Sequence, residues 1–505
     1  MDCILAIDIG SSTLKCVLFD LDGCIVHAER RPCELEKRRG GVVERDPETI
    51  WSSTAELLVR LHKVVQDKRC RVLAFTCTGA GDGLLLLDKA GLPVSPAISS
   101  LDTRAAPILR EWEAAPQYEQ YYAIAGESLY SGTPAALLKW YKRHDHDTYA
   151  RGRYIVFIKD WIKYKLTGKI CTDYSDSSAT LTDTRGVYRK EIFELLDIPE
   201  AYDKTTPQVS SQEIAGVVSS ELAGTLPCFK DVPVFSGMHD CSGSALGSGC
   251  IDQGDLCVIT GSWSGNDLVA DTPILDRESK KRWLIRSYAV PGKYLLMSSS
   301  PASFVNLDWF IMLHEQSIRA LAKEDSAKSI LALCDALVRE CPDDEMLIYH
   351  PYLYGSQLIP EASAGFYGIR PWHSTAHFLR ALYEGMAINY RNHFEAMPGD
   401  VAINRVYVCG GGANSRVFLT ILSAALSHDV AHASCPETTS LGAIIPVLVG
   451  LGIDPGYVEA CRRISARYAR PVSSGSAERS LMDKKAGLYR KLELMLNNYW
   501  LPPGD

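Results

Sequence analysis

The stretch LAIDIGSSTLKCVLFDLDG, from Leu5 to Gly23, brings a carboxylate (Asp8), the hydroxyls of Ser11, Ser12 and Thr13, and the ammonium of Lys15 to one tight turn between two apolar runs. A Gly-Ser turn aims backbone N–H groups and hydroxyls at one point, which makes a nest for phosphate oxygens. Asp8 offers the hard oxygen donor that suits the hydration shell of Mg2+. Lys15 could offset phosphate charge. The plain alternative is a hairpin with a solvated lysine. A second turn of the same kind, ITGSWSGN with Gly261 and Ser262, favours the phosphate reading, because two such hairpins could clamp a triphosphate from two sides.

Two further stretches carry candidate chemistry. In VYVCGGGANSRVFLTILSAAL (Val406 to Leu426), Gly410, Gly411 and Gly412 follow an apolar strand and would let the backbone approach a flat ligand, with Asn414 or Ser415 capping the next helix. In GMHDCSGSALGSG, Asp240 stands among Gly237, Gly243, Gly247 and Gly249 at the start of a small-residue helix. It reads either as a helix N-cap or as a general base that takes a proton from a hydroxyl attacking phosphorus.

These groups need rigid supports, and the pattern of the chain supplies them. Strand-like apolar runs such as CRVLAFTCTG alternate with amphipathic stretches such as ETIWSSTAELLVRLHKVVQ, which predicts an α/β fold. Asp231 to Gly249 reads as strand, glycine turn and helix. Gly254 to Ala270 repeats the shape of the opening hairpin. The expectation is two related halves, residues 1–248 and 249–505, each begun by a hairpin, with a ligand cleft between them.

Bulk composition narrows the partners. The 505 residues are 46% apolar and 23% charged, with a net charge of 53 − 61 = −8. No basic stripe suits a nucleic acid. The start of the chain reads directly into a strand, without the pattern of a secretory leader. The most apolar late stretch, AIIPVLVGLGI, is too short for a bilayer and contains Pro446, so it is expected as a buried helix. The 16 cysteines form no C-x-x-C pair and many, such as Cys16, Cys257 and Cys409, sit in apolar runs. That usage predicts reduced core thiols in a cytoplasmic protein, with no thiolate metal site.

Taken in order, these segments resemble the FGGY carbohydrate kinases of the actin-like, sugar kinase and Hsp70 ATPase superfamily. AIDIGSSTLKCVLFD resembles the family's first phosphate loop, and GGVVERDPETIW its G-x-x-E-x-D-P-x-x-x-W element. IKDWIKYKLTGKICTDYSDSS resembles its K-D-x-x-x-x-x-L-T-G segment with an aspartate-rich turn. HPYLYGSQLIPEASAGFYGI, FLRALYEGMAIN and VCGGGANSRVFLTILSAAL followed by ETTSLGAI resemble the C-terminal signatures. The resemblance implies two actin-like (ribonuclease H-like) ATPase domains. The first would carry the sugar site and first phosphate loop, the second the other phosphate loop and the adenosine site. It implies ATP and Mg2+ as cofactors and a small sugar or polyol as substrate. Asp240 becomes the catalytic base. Asp8, Ser11, Ser12 and Lys15 become the first phosphate loop, with Asp8 holding Mg2+ through water. Gly261 and Ser262 become the second phosphate loop, and Gly411, Gly412, Ala413 and Asn414 the adenosine loop. A homodimer is compatible with the resemblance, although no residue specifies one.

The substrate is sought in TCTGAGDGLLLLDKAGLPVSPAISSLDTRA (Thr76 to Ala105). Where xylulokinases carry G-Q-M-H-G, this chain has GAGDG, which puts Gly81 and Asp82 in the sugar site. A carboxylate accepts well from two neighbouring hydroxyls, although Asp82 could equally be a turn former. Ser100 stands where tryptophan is common. The pattern is closest to L-xylulose and erythritol kinases. The expected reaction is transfer of the γ-phosphate to a primary hydroxyl of a pentulose, xylulose of either hand. Erythritol, ribulose, glycerol or gluconate are the alternatives, and a non-kinase ATPase or a sugar sensor is the reading from another class.

Overall fold

The computed structural model describes residues 1–261, 263–275, 283–321, 329–342, 346–356, 361–397 and 401–500. In chain order the principal elements are β1 (Asp2–Ile9), β2 (Thr13–Asp20), β3 (Ile25–Pro32), α1 (Pro47–Asp67), β4 (Arg71–Gly79), α2 (Ile158–Thr167), β5 (Ile214–Val217), β6 (Pro233–Phe235), β7 (Met238–His239), α3 (Asp240–Ser248), β8 (Asp255–Thr260), β9 (Ser264–Ala270), α4 (Thr375–Glu395), β10 (Arg405–Cys409), α5 (Arg416–Leu426), β11 (Val430–Ala433), α6 (Thr438–Gly450), β12 (Ala469–Val472) and α7 (Ser476–Trp500). They form two compact units. The first comprises Met1–Gln253, Val269–Leu296 and Glu437–Arg467. The second comprises Gly254–Leu268, Met297–Pro436 and Tyr468–Asp505.

The first unit is built on a mixed sheet of order β5-β6-β4-β1-β2-β3, with β7 also beside β4. β1 and β2 form the expected hairpin, and β4 joins β1 in parallel. Because β1 lies inside the sheet, its apolar run is buried along nearly its whole length. Helix α1 starts where Asp46 accepts from the N–H groups of Glu48 and Thr49 and Pro47 occupies the first turn. Its buried face, Ile50, Leu57, Leu58, Leu61 and Val65, packs in one core with Leu5, Leu18, Phe75 and Trp161. A second apolar cluster, with Leu86, Tyr121, Leu137 and Phe193, fills the part of the unit between residues 84 and 201.

The second unit repeats the plan. β8 and β9 pair antiparallel from Leu256 with Leu268 to Thr260 with Ser264, and β10 joins β8 in parallel. β11 continues parallel to β10, and β12 closes that edge antiparallel. A hairpin flanked by a parallel strand thus opens both units. All 16 cysteines are thiols outside any disulfide, most of them buried. Among the described residues, no helix is long and apolar enough to cross a membrane.

The stretch expected as a buried helix is α6, apolar almost throughout, and its partner in the first unit is α3. The two approach closely because their contact positions lack side chains. A Cβ on Gly442 would lie 1.9 Å from the Gly243 carbonyl oxygen, and one on Gly247 would lie 1.9 Å from that of Thr438. Gly442→Val is therefore expected to destabilise the first unit by about 3 kcal/mol, the upper range for overpacking, read as a lower urea midpoint. Gly487, inside α7, has no atom within 4 Å of its virtual Cβ. Gly487→Ala is expected to raise stability by about 0.5–1 kcal/mol through helix propensity alone.

Candidate functional site

The hairpin places Asp8 directly opposite Lys15. The Lys15 ammonium lies 3.8 Å from Asp8 and 3.0 Å from Glu437, and Arg30 also binds Glu437. Burial pushes the Asp8 carboxyl up to about 6, with Lys15 opposing the shift and Glu437 adding to it. The exposed Ser11 and Ser12 form the turn itself. Its shape is held from below: Arg45 Nη1 donates to the carbonyl of Gly10 at 3.1 Å. Arg45 belongs to the GGVVERDPETIW stretch, so one short motif both caps α1 and braces the loop.

Asp240 is the first residue of α3, and the N-cap reading falls to its neighbour. His239 Nδ1 accepts from the Cys241 N–H at 3.0 Å, leaving the Asp240 carboxylate free of cap duty. Burial pushes Asp240 up to about 6. His239 opposes this, while Asp8 and Asp176 raise it further, so these three carboxylates share one electrostatic neighbourhood. His239 is positioned through its own N–H, which donates to Ser175 Oγ at 2.9 Å.

Ser175 in turn hangs on a buried charge network. The Lys159 ammonium lies 2.7 Å from Asp160, 2.5 Å from Asp173 and 2.8 Å from Asp176, and Lys163 lies 3.0 Å from Asp160. All five side chains are essentially inaccessible. Burial works against the Lys159 charge, but the three carboxylates hold it protonated well above the usual lysine range. Asp173 also binds Ser175 through both its Oγ and its N–H. The IKDWIKYKLTG and TDYSDSS stretches are thus the buttress of the Asp240 turn.

Gly81 and Asp82 follow β4. A Cβ at Gly81 would meet the His239 ring at 1.9 Å, so the turn sits directly against the residue before Asp240. Asp82 adopts φ +56°, the left-handed turn conformation, and its carboxylate is engaged at the same time. It accepts from Tyr130 Oη at 2.6 Å and pairs with Arg286 Nη2 at 3.0 Å, while Arg286 Nε reaches Glu127 at 2.6 Å. Burial pushes Glu127 up to about 8, against the pull of Arg286. Arg45, Gly81, Asp82, Ser99 and Ser100 line one cavity. Beside it, Asp102 and Arg104 of SSLDTR form a buried ion pair that also holds Glu44.

Gly261, Gly411, Gly412, Ala413 and Asn414 belong to the second unit, where they come together at the ends of adjacent parallel strands. Ser262 lies outside the described residues. Gly410, at φ +94°, packs on the backbone of Thr260. Ser415, not Asn414, caps α5, accepting from Phe418 N–H at 2.9 Å. The three glycines differ in purpose: a Cβ on Gly412 would strike the Phe304 ring at 2.1 Å, while one on Gly411 meets nothing within 4 Å. Only Gly411 therefore leaves its face open.

Several residues of these sites escaped the sequence reading. Glu437, Arg286, Glu127 and Tyr130 reach their partners from far along the chain. His239 and Ser175 stood inside quoted motifs without being singled out, and an aspartate-rich turn next to a Lys-Asp pair was the available signal for the network.

Two mixed sheets, each opened by a Gly-Ser hairpin with a parallel strand beside it, define the actin-like ATPase fold. Solved structures agree with that fold. The xylulose kinase from Rhodospirillum rubrum superposes with a TM-score of 0.87 at 24% identity, over 99% of both chains. The Plasmodium falciparum glycerol kinase with ADP gives 0.86 at 19% identity, over 98% of both. The family model described as the FGGY family of carbohydrate kinases, N-terminal domain, matches residues 3–247, and that for the C-terminal domain matches 256–450. The chain belongs to the FGGY family of carbohydrate kinases and is an enzyme of that class. Among curated proteins it is similar to the L-xylulose/3-keto-L-gulonate kinase of Escherichia coli (strain K12), 28% identical over 98% of this chain and 97% of that protein. It is also similar to a probable L-xylulose kinase of Haemophilus influenzae, 28% identical over 87% of this chain and 89% of that protein.

The contrast between two neighbouring glycines is testable. Gly412→Val is expected to lower the melting temperature by several degrees through its clash with Phe304. Gly411→Val is expected to melt as the wild type but to bind a non-hydrolysable ATP analogue about tenfold more weakly in calorimetry, equivalent to about 1.4 kcal/mol.

Proposed function

We propose that the enzyme transfers the γ-phosphate of ATP to a primary hydroxyl of a pentulose, xylulose of either hand, with Asp240 as general base. The observation that carries this reading is the state of Asp240. It is a carboxylate at a helix start, freed from capping by His239 and pushed up to about 6 by burial. A base with that affinity is ionised at neutral pH, yet takes a proton from an attacking hydroxyl more readily than an ordinary carboxylate. Residues 1–248 are assigned the sugar site and first phosphate loop, and residues 249–505 the second phosphate loop and the adenosine site, with Gly261, Ser262, Gly411, Gly412, Ala413 and Asn414.

In this reading Ser11, Ser12 and Lys15 hold the transferring phosphate, and Asp82 with Gly81 shapes the sugar site. Asp8 fits a Mg2+ site: it is a buried carboxylate raised to about 6, and its nearest cation, Lys15, stands 3.8 Å away and is shared with Glu437. A hard cation held through water would relieve that carboxylate. When bound, Mg2+ offsets the charge of the phosphates. Catalysis by the chain's own groups is then mostly positioning and electrostatics.

The test is ADP release with a panel of D-xylulose, L-xylulose, ribuloses, erythritol and glycerol. Asp240→Asn is expected to reduce kcat by about 10²–10⁴ with ATP binding retained. Turnover near the wild-type rate would remove Asp240 from the role of base.

The raised carboxyl also sets the pH profile. Asp240 must be ionised to act, so kcat/KM is expected to fall as pH drops below about 6, approaching tenfold per unit, and to be level above it. An acid limb centred near 4, the ordinary carboxylate value, would show that the titrating group is elsewhere.

A further inference from the structure

His239, Asp240 and Cys241 are consecutive, and the turn from β7 into α3 gathers their side chains. One donor atom from each, a ring nitrogen, a carboxylate oxygen and the thiol sulfur, all lie within 4.8 Å of one another. His239 Nδ1 stands 3.2 Å from Asp240 Oδ1, and the Cys241 thiol hydrogen-bonds the same carboxylate. Nitrogen, sulfur and oxygen together are the donor set of zinc and its chemical relatives. Mg2+ does not compete for it, because Mg2+ takes oxygen ligands and keeps its water. The absence of a C-x-x-C pair argues against a thiolate site, but three neighbouring ligands gathered by a helix start need no such spacing.

A second observation points the same way. Asp176 is inaccessible, and among the described residues its Oδ1 has no hydrogen-bond partner. That oxygen lies 2.7 Å from the place a Cβ would occupy on Gly81, and His239 Nε2 lies 2.1 Å from the same point. A buried carboxylate oxygen therefore stands at the far nitrogen of the ring whose Nδ1 faces Asp240. A histidine that binds metal through one nitrogen regularly presents the N–H of the other to a carboxylate. The tautomer already suits this. Nδ1 accepts from the Cys241 N–H, so the proton of the neutral ring sits on Nε2.

Charge decides whether a cation is welcome there. The start of α3 opposes one, with the equivalent of about half a positive charge. Against it stand Asp240 and Asp8, both raised to about 6 and so ionised near neutral pH. Two carboxylates outweigh one helix terminus. The Asp240 and Cys241 side chains are only partly buried, which leaves an ion a way in.

We propose that the Asp240 turn is a binding site for a divalent cation of the zinc type, held by His239 Nδ1, the Asp240 carboxylate and the Cys241 thiolate, and that the bound ion silences the enzyme. Binding releases the thiol proton to solvent and exchanges the Cys241 N–H bond to Nδ1 for a metal bond. The ion occupies the lone pairs with which Asp240 would accept the proton of the attacking hydroxyl. The silencing rests on the reading of Asp240 as base, whereas the site itself does not.

The experiment uses the full-length enzyme, kept reduced, as wild type, Cys241→Ser and His239→Gln. Co2+ alone serves as the probe of the site, read by its thiolate-to-cobalt absorption band. Zn2+ inhibition of ADP release is measured with D-xylulose and L-xylulose at saturating Mg-ATP, each variant against its own rate without zinc. The wild type is expected to show a cobalt–thiolate band and an inhibition that a zinc-selective chelator reverses. Cys241→Ser is expected to lose the band and to need at least about 30-fold more Zn2+ for half-inhibition. His239→Gln is expected to weaken cobalt binding and to shift the inhibition in the same direction, which keeps the test open if Cys241→Ser does not fold. A band of undiminished size in Cys241→Ser places the metal on another thiol and overturns the proposal. Inhibition that is equal in all three proteins, or that added Mg2+ alone relieves, also overturns it and puts the ion elsewhere, as does a wild type that shows neither band nor inhibition. A Cys241-dependent band without inhibition overturns the silencing. If neither sugar is turned over, the kinase reading has failed, and the cobalt band still decides the metal site.

Discussion

The arrangement around Asp240 depends on one ammonium, that of Lys159, sealed among Asp160, Asp173 and Asp176. An unpaired charge at that depth would be very unfavourable, and the three carboxylates would repel one another without it. Such a network adds little to stability compared with apolar packing of the same volume. What it supplies is geometry: the groups can coexist only in one arrangement. Asp173 then orients Ser175, Ser175 receives the N–H of His239, and His239 caps the helix that begins with Asp240. The position of the candidate base is set by electrostatics several bonds away.

The first hairpin shows the same economy. Lys15 is held between Asp8 and Glu437, and Arg30 binds the same glutamate. Glu437 is the first residue of the segment that returns to the first unit after Pro436. It stands immediately before α6, which packs on α3 through glycines. The lysine proposed to meet phosphate and the helix that carries the proposed base are therefore tied to one short returning segment.

Around Asp82, charge is distributed unevenly. Asp82 spends its charge on Arg286 and Tyr130, while among the described residues Arg45 is bonded to Gly10 and Cys33 through one nitrogen.

Much of this was legible in the linear chain because it rests on local rules. Apolar runs with a Gly-Ser turn between them make a hairpin whatever surrounds it, so β1–β2 and β8–β9 stood out, as did the amphipathic period of α1 and the apolar run of α6. Family resemblance then placed Asp240 and the loops in order. The sequence alone could not say which of three consecutive glycines is open to a ligand, because Gly412 is occupied by Phe304, a residue over a hundred positions earlier. Nor could it show that Asp82 is both a turn former and one half of an ion pair, since Arg286 is 204 residues away. The reason is common to both. Propensity and pattern act over a few residues and determine elements, whereas the partner of a buried charge is decided by which strands and helices the completed fold brings side by side. That is why Arg45, an unremarked member of GGVVERDP in the linear chain, is found once folded as a buried cation that braces Gly10.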